Sequence, residues 1–239
     1  MAHDQADYAL ACSLHEESLA LFRELGNKQG IANALNNLGN VADLRGNYET
    51  ARRYHEESVA IRRELGRPTG LALALTNFGN TLSHAGDDAA AQPLYEESLA
   101  ISREIGDRRR IAYALTGLGN IARREGNYTV AGRCYAESLT IRQSLGEKRG
   151  IAISLESLAR LAVAQGQPVR AVRLAAAATQ LRKTIGALLG YLEQAEFQEH
   201  LQRARDGLGE EAFAAAWAEG CAMTLEQAIS YALKCEVAS

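Results

Sequence analysis

The chain has 239 residues, 47% of them hydrophobic, and a net charge of −3, which is enough for an extended domain and gives no whole-chain basic signature for nucleic acid. No stretch approaches the ~20 apolar residues of a membrane span, and the N-terminal residues do not read as a secretory leader. Cys12, Cys134, Cys221 and Cys235 are scattered without Cys-x-x-Cys spacing, which favours reduced thiols in a cytoplasmic protein, and the five histidines form no ligand cluster.

The first pattern, Tyr8, Ala11, His15, Ser18 and Leu21 closed by Gly26, has helical spacing. It matches the second half of the unit that follows, shifted back by 40 residues. Residues 1–26 therefore read as the second helix of a truncated leading repeat. Its small-residue face lacks a partner, which array ends normally avoid by polar capping. We expect the native protein to continue upstream into neighbouring domains of a larger chain, and the open face to favour homodimer contacts.

From Asn27 the chain repeats. Leu38-Gly39-Asn40, Phe78-Gly79-Asn80 and Leu118-Gly119-Asn120 follow at a fixed step of 40, with Leu158-Ala159-Arg160 one step further. Such a period marks a stacked array. The copies are 27–66, 67–106, 107–146 and 147–186. In copy one, Ile31, Ala34, Leu35, Leu38 and Ala42 trace a first amphipathic helix, and Tyr48, Ala51, His55, Ser58, Val59, Ile61 and Leu65 a second. Glycines close every first half (Gly46, Gly86, Gly126, Gly166) and every second half (Gly66, Gly106, Gly146, Gly186), as the left-handed end of a helix prefers. Asn47, Asp87 and Asn127 then read as N-caps, and Pro168 as a first helical residue. No run alternates with period two, so no sheet is expected.

Gly39, Gly79 and Gly119 sit mid-helix, where each costs roughly 1 kcal/mol relative to alanine. Close approach of the partner helix explains the repeated cost, with Ala51, Ala91, Ala131 and Ala171 as the matching small residues and Ala159 relaxing the pattern in copy four. His15 and His55 hold the position of Tyr95 and Tyr135 and read as packing residues, as does Cys134. Pro93, inside the second helix of copy two, predicts a kink or a late start near Gln92. Arg108-Arg109-Arg110 and Arg123-Arg124 read as solvated helix faces.

Leu38-Gly39, Gly46-Asn47-Tyr48, Ala51 and the large residue at His55, Tyr95 or Tyr135, in register over 160 of 239 residues, resemble the tetratricopeptide repeat family in a 40-residue form. The resemblance implies an all-α fold: a right-handed α-solenoid of antiparallel helix pairs, its concave face lined by the first helices. On that face the spacing i, i+3, i+7, i+10 selects Asn33, Asn36, Asn40 and Asp43 in copy one. It selects Leu73, Thr76, Asn80 and Ser83 in copy two, and Tyr113, Thr116, Asn120 and Arg123 in copy three. In copy four it selects Ile153, Glu156 and Arg160. An asparagine carboxamide both donates and accepts, so the ladder Asn40, Asn80, Asn120 suits the backbone of a bound peptide. It equally suits a bridge between repeats that binds nothing. Arg123 and Arg160 favour an acidic partner group. Thr76 and Thr116 stand where chaperone-binding repeats use basic residues, which argues against recognition of a chaperone's terminal carboxylate.

Beyond Ala187 the register is lost. Leu192, Ala195, Phe197, Leu201, Ala204 and Leu208 predict a long helix ended by Gly207 and Gly209, in the manner of a degenerate fifth first helix. A short helix runs through Phe213 and Trp217 to Gly220. Thr224 and Gln227 form a capping-box pattern for a last helix, whose Ile229, Tyr231 and Leu233 are expected to cap the stack. Residues 187–239 are thus C-terminal capping helices. The stretch from Leu208 to Ile229 resembles the repeat region of large bacterial ATP-dependent, LuxR-type transcriptional regulators. No phosphate loop, metal-ligand spacing or nucleophile–base pair appears, and Glu156 and Asp43 lie on different copies. The expectation is a non-enzymatic interaction or sensor module of a bacterial signalling or transcription-regulating protein. It would need no cofactor, bind a protein or peptide ligand, and contact neither nucleic acid nor membrane directly. A free-standing scaffold similar to the G-protein-regulator and polarity repeat proteins is the alternative.

Overall fold

In the computed structural model the backbone is described for residues 2–187 and 191–234, and the side chains for residues 8–187, 198, 199 and 201–234. Cys235 and the side chains of Leu192, Ala195 and Phe197 lie outside the described residues. Among the described residues there are twelve helices and no strand. They are α1 (Ala2–Glu24), α2 (Lys28–Leu44), α3 (Tyr48–Leu65), α4 (Pro68–His84), α5 (Asp88–Glu104) and α6 (Arg108–Arg124). Then come α7 (Tyr128–Ser144), α8 (Lys148–Ala164), α9 (Pro168–Ile185), α10 (Tyr191–Leu208), α11 (Glu210–Ala222) and α12 (Leu225–Leu233). None of the described helices is long and apolar enough to cross a membrane.

The stops lie where glycine permits them. Every twentieth residue from Gly26 to Gly186 has φ between +60° and +84°, a left-handed conformation that L side chains resist. The starts are written in side chains. Asn27, Asp87 and Asn127 accept from the backbone N–H groups of Gly30, Ala90 and Val130. Asn47 holds the cap position of α3 but makes no side-chain cap bond. At Pro93 the expectation of a late start fails, because α5 already begins at Asp88 and continues through the proline. Asp87 secures the first turn ahead of the proline, which removes the bond that its own N–H would have made.

By their contacts the helices form two units, residues 1–117 and 118–239. In unit 1 each helix from α1 to α4 packs on the next, and α2 also touches α4. Leu19, Ala34, Leu35 and Leu38 are buried together, with Phe22, Ile31, Tyr54 and Ile61 packed around them. On α1, Leu10, Leu14 and Leu21 share one helical face and are exposed.

In unit 2, α9 is the hub, touching α8, α10, α11 and α12. Its run Ala175-Ala176-Ala177-Ala178 is buried throughout, and such small side chains let helices approach from several sides. At Gly220 of α11 a Cβ would lie inside contact distance of the Arg173 backbone oxygen on α9. That glycine is therefore a packing position within α11, not its stop. The Thr224–Gln227 capping box is fully formed, and α12 lies against α7, α8 and α9.

The mid-helix glycines face rings. A Cβ on Gly39 would lie 2.6 Å from the His55 ring, one on Gly79 2.9 Å from Tyr95, and one on Gly119 2.6 Å from Tyr135. The expected close approach is thus made by the aromatic position, while Ala51, Ala91, Ala131 and Ala171 are buried beside it. In copy four the ring position is Ala175, which explains why the glycine is relaxed to Ala159 there.

Candidate interaction surfaces on the first helices

In unit 1 the predicted inward stripe divides by burial. Asn33 and Tyr113 are exposed, and Asn40, Asp43, Leu73, Asn80, Ser83 and Thr116 are half-buried. Asn36 and Thr76 are buried and belong to the interior, which corrects their placement on an open face. Asn36 accepts from Asn77 Nδ2 at 3.1 Å, and the Thr76 hydroxyl bonds Ser98 Oγ at 2.7 Å. Asp43 meets His84 Nδ1 at 3.0 Å, Ser83 donates to Asp88 Oδ1 at 3.1 Å, and Thr116 donates to the Ala112 carbonyl at 2.9 Å. Asn80 Oδ1 accepts from the Tyr95 hydroxyl at 2.7 Å. That bond fixes which way the carboxamide points. Among the described residues nothing accepts from its Nδ2. At Asn40 the ring is His55, whose two nitrogens are buried without a partner among the described residues. Burial pushes the His55 pKa down to about 4, with Asp43 opposing weakly.

In unit 2 the same bond recurs, with Tyr135 donating to Asn120 Oδ1 at 2.8 Å. Burial raises the Tyr135 pKa to about 12, while the charge and hydrogen bond of Arg123, followed by the charges of Arg160 and Arg124, pull it down. Asn120, Arg123 and Arg160 are thus gathered around one hydroxyl. Arg123 is only half-buried but is not the solvated side chain expected. The Nε atoms of Arg123 and Arg160 are buried and make no hydrogen bond among the described residues. Glu156 is a second correction of the same kind. It is buried and bound by Arg182 through Nε at 2.5 Å and Nη2 at 2.9 Å. No group of three or more potential metal ligands occurs among the described residues.

A family model for the tetratricopeptide repeat matches residues 1–64, 30–104 and 110–184. The chain belongs to the tetratricopeptide repeat family. The crystal structure of BtubC (BKLC) from P. vanneervenii is similar over 89% of this chain and 89% of that one, with a TM-score of 0.69. At 17% identity that likeness shows the fold, an all-α repeat of helix pairs. No curated protein matches. Tetratricopeptide repeats are protein–protein interaction scaffolds and typically non-enzymatic.

Within this tetratricopeptide repeat protein, sequence reasoning missed a series of buried arginines on the second helices. Arg62, Arg142 and Arg182 are all buried, at one register position where copy two has Ser102. Opposite Arg62 and Arg142 stands the residue eight further on. A Cβ on Gly70 would lie 2.5 Å from Arg62 Nη1, and one on Gly150 2.7 Å from Arg142 Cδ. Where the second helix has the small Ser102, the residue eight further on is Arg110. This exchange of large and small was the available signal. It shows only when positions 62, 102, 142 and 182 are compared with 70, 110 and 150.

Proposed function

We propose that the chain is a cytoplasmic interaction module that binds an extended segment of a protein partner along its first helices, each unit through its own stripe. The observation that carries this is the tyrosine–asparagine bond. Tyr95 and Tyr135 occupy the carboxamide oxygens of Asn80 and Asn120, which leaves each Nδ2 as an oriented donor for a backbone carbonyl. In unit 2, Arg123 and Arg160 flank that donor and favour an acidic residue in the partner. The likeness of residues 208–229 to large bacterial regulators supports placement in a signalling or transcription-regulating protein, with ligand occupancy altering how neighbouring domains pack. A phosphate-loop sequence in the gene's reading frame upstream of Met1 is the check on that placement.

The binding test uses a change of nearly constant shape. Asn80→Asp and Asn120→Asp keep an acceptor for each tyrosine but remove the donor. Against peptides selected on the full chain from a random array, each is expected to weaken binding about threefold to tenfold, the worth of one hydrogen bond. Unchanged affinity in the double variant, with an unchanged melting profile, would leave the asparagines as packing residues only.

A further inference from the structure

Arg62 is a guanidinium without a counter-charge. It is 4% exposed, yet its bonds go to neutral oxygens. Nη2 donates to Asn33 Oδ1 at 2.9 Å and Nε to Ser58 Oγ at 3.3 Å. Among the described residues no carboxylate offsets it; burial first, and then the charge of Arg110, hold its pKa below the usual arginine value. Arg110 has one acid, Asp107 at 2.9 Å, whose other oxygen accepts from the Arg110 backbone N–H at 3.1 Å. The one acid at Arg110 thus serves Arg110 alone, as ion-pair partner and helix cap, and Arg62 is left with none.

The same register in unit 2 shows what completes such a site. Arg182 is the counterpart of Arg62 three copies on, and both oxygens of Glu156 bind it. The counterpart of Glu156 in copy one is Asn36, which is neutral and already bonded to Asn77. Buried charges are ordinarily paired. The chain supplies the acid to Arg182 and omits it at Arg62. The site reaches the surface at two residues: Asn33 is exposed, and Arg110 keeps 24% of its side chain in solvent.

We propose that Arg62, Arg110 and Asn33 form a receptor in unit 1 for one aspartate or glutamate side chain of a partner polypeptide. The incoming carboxylate displaces Asn33 Oδ1 from Arg62 and takes the two-pronged geometry that Glu156 takes on Arg182. The site shares Asn33 with the first-helix stripe but does not depend on the donors of Asn80 and Asn120.

The experiment measures anisotropy of a labelled tetraglutamate peptide on the full chain at low salt. An Arg123→Gln/Arg160→Gln background removes the basic pair of unit 2. A tetraglutamine peptide is the neutral control, and glutarate and inorganic phosphate are competitors. We expect tetraglutamate to bind and tetraglutamine not to. Asn36→Glu, which supplies the acid from within the chain, is expected to weaken binding about tenfold, the worth of one charged hydrogen-bonded contact. Thr50→Glu, the same charge on an exposed part of α3, should weaken it less than twofold. Arg62→Gln is expected to behave as Asn36→Glu does; if it fails to fold, Asn36→Glu alone decides. The proposal is overturned by tetraglutamine binding equally, by no binding of tetraglutamate, by an unchanged Asn36→Glu, or by phosphate displacing the peptide more readily than glutarate. Failure here leaves the Asn80→Asp and Asn120→Asp result standing, and failure of that test leaves this one standing.

Discussion

His55 occupies the position at which Tyr95 and Tyr135 reach an asparagine. Its ring is shorter and has no hydroxyl, and the vacated space goes to Phe78, whose ring stacks on it at 6.3 Å. Unit 2 has Tyr135 and Leu158 at the matching pair of positions. The two pairs are alternative ways of filling one volume. His55→Tyr alone should therefore overpack and cost about 1–3 kcal/mol. Adding Phe78→Leu should recover that loss and contribute about 1 kcal/mol more through a new bond to Asn40. Urea unfolding of the two single variants and the double variant measures the coupling. Wild type should also respond to acid. The folded pKa of about 4 lies below the ordinary 6.5, so the unfolded chain binds the proton more readily. Stability from the neutral ring is complete above pH 6.5 and is lost as pH falls towards 4, on the order of 3 kcal/mol at most. The double variant should lack that slope.

At the scale of the element, the helix limits within the repeats were legible because local chemistry marks them: a left-handed glycine at every stop, and at several starts a capping side chain or a proline. Pairings between elements were less so. The exchange of Gly39, Gly79 and Gly119 for Ala159 was visible, but its cause, a ring replaced by Ala175, lies sixteen residues away and needs the helix pair to be closed. The burial of Asn36, Thr76 and Glu156 was hidden for a related reason. Helical spacing fixes a face but not how far the neighbouring helix covers it. At Pro93 a late start was expected beside a kink, but α5 starts at Asp88, where the Asp87 cap secures the first turn. Pro93→Ala should restore the missing backbone bond on an exposed part of α5. It is expected to stabilise by about 1 kcal/mol, less than the ~3 kcal/mol of a mid-helix proline, because the freer unfolded chain offsets part of the gain. A rise in melting temperature with unchanged helical circular dichroism is the readout; no rise would mean that α5 already accommodates the proline without loss.

At the scale of the whole chain, the repeat register describes the first four copies, and a different device closes the second unit. There α9 presents alanines on several sides, and three further helices settle on it. Arg173 ion-pairs with Glu219 of α11, and Arg170 donates to the Ala232 carbonyl of α12 at 2.8 Å. Both guanidinium groups also lie within 6 Å of the Tyr231 ring, at 5.8 and 5.9 Å. These contacts are polar and lie around the packed alanines, so the fit of α11 on α9 should decide stability, and Gly220 is where that fit is tightest. A methyl there meets backbone, which cannot rotate away as a side chain can. Gly220→Ala should therefore push α11 off α9 and cost about 1–3 kcal/mol, although alanine is by itself the better helix former. Trp217, the single tryptophan of the chain, is half-buried on α11 and stacks on Phe213 at 6.0 Å. Its fluorescence should shift to the red in the variant before any global melting, which distinguishes displacement of α11 from general unfolding. A variant with wild-type emission and wild-type stability would show that α11 sits less tightly on α9 than Gly220 implies, and the closure of unit 2 would then rest on the arginine contacts instead.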